Sequence, residues 1–130
     1  MRTIQQQFAS AVYDHILSYQ KDHSETDQKK YGSIAIKLPF LVQKAGLAQA
    51  LAFVNRKAES DSGESYKDLL EHLSQIVVEE GEQSLLQASI SADLPDYIYL
   101  TKRALLALEW FNRFSQSILK VKQTDEVQGS

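Results

Sequence analysis

Cysteine is absent from this sequence, and proline and glycine are scarce, with two and five residues respectively among 130. The lack of thiols excludes disulfide frameworks, cysteine-based zinc sites, iron–sulfur clusters and cysteine nucleophiles. It also fits a reducing compartment, so we expect a cytoplasmic protein. The five glycines stand singly along the chain, whereas a phosphate-binding loop needs them clustered at the start of a helix. We therefore expect neither thiol chemistry nor a nucleotide-binding loop, and no cofactor.

Long hydrophobic runs are also missing. No uncharged stretch is longer than 11 residues, the length of Ala45–Asn55, which is too short to cross a hydrocarbon layer of about 30 Å as a helix. The first residues carry no apolar segment of the kind that a secretory signal needs. The sequence therefore predicts a protein that is neither secreted nor bound to a membrane.

Charge is unevenly distributed, although the whole chain carries a net charge of only -3. Residues 29–57 have a charge of +6 and no acid, residues 58–96 have a charge of -9, and residues 97–122 have a charge of +4. Two separated basic segments can fold into one basic face opposite an acidic one. The alternative is an ordinary solvated surface of mixed charge.

Apolar residues recur at helical spacing almost throughout, and no run alternates with the period of two that marks a strand. The pattern predicts an all-α fold, a compact bundle of about five to six helices with a long C-terminal helix. We expect residues 1–122 to form a single helical domain and residues 123–130 to be a disordered polar tail. The helical stripes cover about residues 3–21, 31–42, 47–54, 66–77, 83–90 and 95–122.

Short motifs mark where some of these helices begin and end. Thr3 and Gln6 have the spacing of a capping box, and Gly46 separates the second helix from the third. Pro39 lies inside the second helix, where its missing amide hydrogen predicts a kink. The third stripe, 47–54, is apolar nearly all round, so we expect it to be the most buried helix.

The polar stretches between the stripes predict loops. Residues 21–27 are expected to form one loop, and residues 60–65 another, in which Ser62 or Ser65 caps the fourth helix. That helix stops at residues 79–81, where two acids oppose the helix dipole. We expect this end either to fray or to pair with a basic neighbour.

Residues that could carry catalysis are sparse. The three histidines lie far apart in sequence, and His15 falls within an apolar stripe, as a core histidine would. Asp68 and His72 are four residues apart on the fourth helix, but they supply two ligands where a metal site needs three or four. We therefore expect no catalytic residues, no metal site and no enzymatic activity.

Basic residues show a clearer pattern. Lys30, Lys37 and Lys44 recur every seven residues along the second helix and therefore form one row. Lys102, Arg113 and Lys120 fall on a similar row of the last helix. Two basic rows suit a sugar-phosphate backbone, and no aromatic or amide pattern accompanies them that would read bases.

Two segments carry distinctive motifs. In the segment 31–53, the pair Leu38-Pro39 is followed after a spacer by Gly-Leu-Ala-Gln-Ala-Leu-Ala-Phe at residues 46–53. In the segment 104–114, Leu108, Trp110, Arg113 and Phe114 form the second motif. Both motifs resemble those of a known family, the small helical subunit of the type III-B CRISPR effector, or Cmr complex, and the second is similar to the ending of that family's last helix. The resemblance extends from the first helix to about Lys122.

The resemblance implies a non-catalytic subunit of an RNA-guided antiviral complex. Several copies would line the backbone subunits, near the large polymerase-like subunit and beside the paired guide and target RNA, with sequence recognition left to base pairing. The acidic stretch 59–96 is then a candidate surface for neighbouring subunits. Two rival hypotheses stay open. The first is a helical adaptor that binds only protein, and the second is an enzyme that uses Asp14, His15 or the Asp68–His72 pair, for which only the presence of these titratable residues speaks. The candidate RNA-binding residues are Lys37, Lys44, Arg56, Lys57, Lys102, Arg103 and Arg113.

Overall fold

Six helices make up the structure, a computed structural model that describes residues 1–79 and 83–123. The described residues contain no strand, which confirms the all-α prediction. The longest helix is the last one, as predicted. The helices are α1 (Ile4–Asp22), α2 (Glu25–Ala45), α3 (Leu47–Ala58), α4 (Glu64–Val77), α5 (Leu85–Ser91) and α6 (Leu94–Ser117).

The first two helices begin at side-chain caps. The Thr3 hydroxyl accepts a hydrogen bond from the Gln6 amide at 3.1 Å, and the Gln6 side chain accepts one from the Thr3 amide at 2.8 Å, which confirms the capping box. The predicted loop 21–27 is wrong, because α2 already begins at Glu25. Ser24 caps α2 by accepting a hydrogen bond from the Asp27 amide at 3.2 Å. Acids in the first turn favour this early start, since they complement the helix dipole.

Helix α2 continues through Pro39 and ends at Gly46, which separates it from α3 as predicted. The φ angle of Gly46 is 90°, in the region that side chains disfavour. Its amide donates to the Val42 carbonyl at 2.9 Å and so closes α2. The chain then turns directly into α3, which packs against α2 as the second arm of a helical hairpin.

Helix α3 buries one face only, so the prediction that it is the most buried helix is wrong. Leu47, Leu51 and Val54 are buried on the side that meets α2, α4 and α5. Ala52 and Phe53 are exposed on the opposite side, where no described helix covers them. Apolar residues all around a helix show only that each face can be buried, not that each face has a neighbour.

Helix α4 begins without the predicted serine cap. Gly63 is its N-cap residue and Ser65 lies buried inside the helix, so the assignment of a cap to Ser62 or Ser65 is wrong. A Cβ at position 63 would collide with the carbonyl oxygens of Lys57 and Ala58. Close backbone approach at the end of α3, rather than a side-chain cap, therefore determines this helix start.

Helix α6 ends at Ser117, so the predicted extension to residue 122 is wrong. Lys120 has a φ of 61° and lies outside the helix, which removes it from the predicted basic row. Leu119 and Val121 turn back and bury their side chains in the core. The predicted disordered tail begins at Gln123, but residues 124–130 lie outside the described residues.

The core draws buried side chains from all six helices, and α2 packs against α3, α4 and α6. Phe111 of α6, Tyr31 of α2 and Leu73 of α4 are fully buried within it. No helix among the described residues is both long and apolar enough to span a bilayer.

Candidate nucleic-acid interface

The α2–α3 hairpin brings basic residues from both of its arms together. Lys37 and Lys44 are exposed on α2, two turns apart, and Arg56 is exposed on α3. Lys57 of α3 lies close to Lys37: partial burial, and then the Lys37 charge, lower the pKa of Lys57. Lys37 lies nine residues before Gly46 and Lys57 lies eleven residues after it. Residues at such similar distances from the turn face each other across the two arms of a hairpin.

A groove connects this hairpin to α6. Lys102 is exposed on the α6 side of the groove, so the structure places it next to the hairpin cations. We use the term basic face for Lys37, Lys44, Arg56 and Lys57 on the hairpin together with Lys102 and Arg113 on α6. The groove is lined by Pro39 and Gln43 of α2 and by Lys102, Leu105, Leu106, Glu109 and Asn112 of α6.

Arg113 is exposed but already has a partner. Its guanidinium lies 2.6 Å from the Glu109 carboxylate one turn earlier, and 5.2 Å from the centre of the Trp110 ring. The predicted row of Lys102 and Arg113 therefore contains an acid between its two cations. Because an exposed pair of this kind is weak, Arg113 can still exchange Glu109 for another anion.

Arg103 is mostly buried and its guanidinium is already engaged by protein groups, so we leave it out of the basic face. Its Nε donates to the Val77 carbonyl at 3.1 Å and its Nη2 to the Ile76 carbonyl at 3.4 Å. Its guanidinium also lies 5.0 Å from the centre of the Phe8 ring and 3.5 Å from Glu79. A cation at these carbonyls stabilises the C-terminus of α4. The expectation that an acid near this end pairs with a basic residue is thus confirmed for Glu79, whereas the second acid lies outside the described residues.

Two phenylalanines accompany the hairpin cations, which the sequence did not lead us to expect. Phe40 of α2 is 59% exposed and Phe53 of α3 is 46% exposed. The Lys44 ammonium lies 5.5 Å from the centre of the Phe40 ring, and the Lys57 ammonium lies 5.4 Å from that of Phe53. The sequence signal was present as Phe-x₃-Lys in both helices, a spacing that places the two side chains on the same face.

The three histidines, distant in sequence, lie in one cluster away from these cations. The rings of His15 on α1 and His72 on α4 stack at 4.1 Å, and His23 stacks on Tyr19 at 3.7 Å. The Tyr31 hydroxyl and His72 Nδ1 form a hydrogen bond of 2.7 Å. Sequence spacing alone missed this histidine cluster because its members come from different helices.

Burial favours the neutral form of two of these histidines, His15 and His72. It lowers the pKa of His72 to about 4, with smaller contributions from His15 and His23, and it also lowers the pKa of His15. Asp68, the other member of the spaced pair, accepts a hydrogen bond from the Tyr19 hydroxyl at 2.9 Å. Among residues 1–79 and 83–123, no three histidine or acidic side chains converge as metal ligands. The observed contacts are those of a polar network that joins α1, α2 and α4.

Comparison with known proteins agrees with the motifs in the segments 31–53 and 104–114. A family model described as CRISPR-associated protein (Cas_Cmr5) matches residues 4–118. The CRISPR system Cmr subunit Cmr5 of Thermus thermophilus is 36% identical over 120 residues, which are 92% of this chain and 99% of that protein.

The fold agrees as well. The crystal structure of a CRISPR-associated Cmr5 family protein from Thermus thermophilus is similar with a TM-score of 0.76 and 37% identity. The similar region covers 91% of this chain and 98% of that one. The family match over residues 4–118, the shared sequence and fold, and near-complete coverage in both directions confirm the resemblance: this chain belongs to the Cmr5 family of CRISPR-associated proteins.

Proposed function

We propose that this protein is a non-catalytic subunit of a type III-B Cmr complex, in which its basic face contacts the phosphates of the guide and target RNA. The observation that carries the proposal is the proximity of Lys37 and Lys57 across the α2–α3 hairpin. Both belong to a segment, 29–57, that has a charge of +6 and contains no acid. A surface that concentrates positive charge in this way attracts polyanions.

The contacts on one copy are few, so we expect the isolated chain to bind RNA weakly. Several copies along the backbone subunits would add their contacts through avidity. The acidic residues between 59 and 96 repel RNA and would instead face neighbouring protein subunits. In this arrangement the basic face positions the strand, while base pairing supplies the sequence specificity.

An adaptor that binds only protein remains the second candidate, and one surface favours it. Ile90 at the end of α5 and Leu94 at the start of α6 are each 69% exposed, and Ile98, one turn further, is 46% exposed. Leu94 and Ile98 are four residues apart on α6 and share one face of it, so they offer an apolar strip suited to a protein partner. A subunit that contacts RNA also needs a surface for its protein neighbours, so the strip is compatible with both candidate functions. Only a measurement of RNA binding distinguishes the RNA-contacting subunit from the adaptor.

The test replaces Lys37, Lys44 and Lys57 with alanine in the assembled complex. We expect weaker RNA association, equally for all sequences, and a salt dependence whose slope falls by about one unit for each phosphate that is no longer neutralised. The matched control replaces Arg2, Lys21 and Lys67 with alanine. These residues are exposed and are not among those that define the basic face, and their replacement changes the net charge by the same amount. Fluorescence anisotropy with labelled RNA over a salt series measures both variants.

Two outcomes would contradict the proposal. An unchanged affinity and salt slope would mean that the basic face is ordinary solvated surface, and the adaptor function would then be favoured. Loss of complex assembly in the hairpin variant, with assembly intact in the control, would instead place these lysines in a protein interface.

A further inference from the structure

The exposed rings on the basic face leave apolar surface in water that a bound partner could cover. Phe40 and Phe53 present 59% and 46% of their surface, although burying a phenylalanine stabilises a protein by about 1.5 to 3 kcal/mol. Each ring has a lysine ammonium within 5.5 Å of its centre. The same arrangement, an exposed aromatic ring beside a cation, occurs on both arms of the hairpin. It therefore indicates a binding surface more strongly than a single exposed apolar side chain would.

Helical geometry places Phe40 near the middle of the basic face. Successive residues of a helix are about 100° apart around its axis. On one side of Phe40, α2 carries Pro39 and Gln43, which line the groove to α6. On the other side it carries Lys37, which lies close to Lys57 of α3. Cations therefore lie on both sides of this ring, Lys102 across the groove and Lys37 toward α3.

Phe53 occupies the corresponding position on the other arm. Phe40 and Phe53 are six and seven residues from Gly46, whereas Lys37 and Lys57 are nine and eleven residues from it. The two rings therefore lie about one helical turn closer to the hairpin turn than the lysine pair does. A strand that follows the lysines toward the hairpin turn would reach the level of the rings after one helical turn, about 5.4 Å along the helix axis.

We infer that Phe40 and Phe53 form a stacking platform for unpaired nucleobases, so that the basic face takes single-stranded RNA in preference to a duplex. The inference rests on the proposed function, since the lysines must first hold the phosphates. Every nucleobase has a flat face that can stack on an aromatic ring, whereas a duplex keeps those faces inside its own stack. The absence of acids from residues 29–57 favours a polyanion over a protein partner.

The test compares two probes of equal length, oligouridine RNA and an abasic phosphodiester strand, with the full-length chain at low ionic strength. The wild-type chain should bind oligouridine about 5- to 30-fold more tightly than the abasic strand. This factor corresponds to about 1 kcal/mol for each of one or two stacked bases, the lower end of the usual stacking energy. The variant Phe40→Leu/Phe53→Leu keeps the apolar surface but lacks the rings, and should bind both probes equally. The variant Phe40→Trp/Phe53→Trp restores a ring and should restore the preference.

The outcomes separate this inference from the proposed function. Equal binding of both probes by the wild-type chain would overturn the stacking platform and leave the phosphate contacts intact. Binding of neither probe, in the chain or in the assembled complex, would overturn both. If the leucine variant keeps its preference for oligouridine but no longer enters the complex, the rings pack against a protein subunit and the inference is wrong.

Discussion

At the scale of single residues, Tyr31 shows how this protein buries polar groups. Its hydroxyl is hydrogen-bonded to His72 of α4, its ring stacks on Tyr19 of α1 at 4.1 Å, and it meets Phe111 of α6 at 6.4 Å. Burial raises the pKa of Tyr31 well above its usual value, so the hydroxyl stays neutral and can donate to an unprotonated imidazole. One residue of α2 thereby connects three other helices.

The first prediction concerns the pH dependence of stability. The pKa of His72 is about 4 in the folded state, against 6.5 for an unperturbed histidine. The folded state therefore binds this proton more weakly than the unfolded chain does. The free energy of unfolding should have its full value above pH 6.5 and fall as the pH drops toward 4. Urea denaturation at pH 7 and pH 5 measures this difference.

The variant His72→Gln is the control for this prediction. It removes the titrating ring, so the loss of stability between pH 7 and pH 5 should become smaller than in the wild-type protein. The groups that face His72 are His15 on α1, His23 after α1, and Tyr31 on α2. An identical loss in both proteins would assign the pH dependence to other groups.

At the scale of elements, the C-terminal segment after α6 is held by α1 and α2. The Val121 amide donates to the Ser115 carbonyl at 3.1 Å, and the Gln20 side chain of α1 donates to the Ile118 carbonyl at 3.0 Å. The Val121 side chain lies on Gly32 of α2, where an added Cβ would be 2.6 Å from its Cγ2 atom. The glycine thus makes room for this segment in the middle of a helix.

The second prediction follows from this contact. Alanine is normally preferred to glycine in a helix interior by about 1 kcal/mol, yet Gly32→Ala should destabilise the protein by about 1 to 2 kcal/mol, because overpacking outweighs that preference. In a Val121→Ala background the same change should cost little or become stabilising. Chemical denaturation of the two single variants and the double variant measures the coupling. A Gly32→Ala variant more stable than the wild-type protein would show that the segment moves aside freely.

At the scale of the whole molecule, the basic face and the histidine cluster are separate. The basic face consists of lysine and arginine side chains, which donate hydrogen bonds to phosphates, and it contains no histidine. The histidines and Asp68 bond to protein groups in the network between α1, α2 and α4. The surface that would hold RNA therefore does not coincide with the groups that could activate water.

The third prediction is that the purified protein hydrolyses neither RNA nor nucleotides. Incubation of labelled RNA with the protein and Mg²⁺ or Mn²⁺, followed by gel electrophoresis, should show intact substrate. Metal-dependent cleavage that disappears in the His72→Gln variant would contradict the non-catalytic proposal.

The helices themselves were largely predictable from the sequence, as were the capping box at Thr3 and the break at Gly46. Each depends on neighbours within about one helical turn. The motif in residues 31–53 likewise sufficed to identify the family. The end of α6 was not predictable, because continuing the helix and packing Val121 on Gly32 are both compatible with the local pattern.

The sequence by itself therefore determined the all-α class, most helix positions, the segregation of charge and the family resemblance. Only the tertiary structure decided that Lys102 points to solvent while Arg103 closes α4, that Phe53 lies outside the core, and that the three histidines meet. The physical reason is that periodicity determines which residues share a face of a helix. Which faces are covered depends on contacts between segments that are distant in the chain.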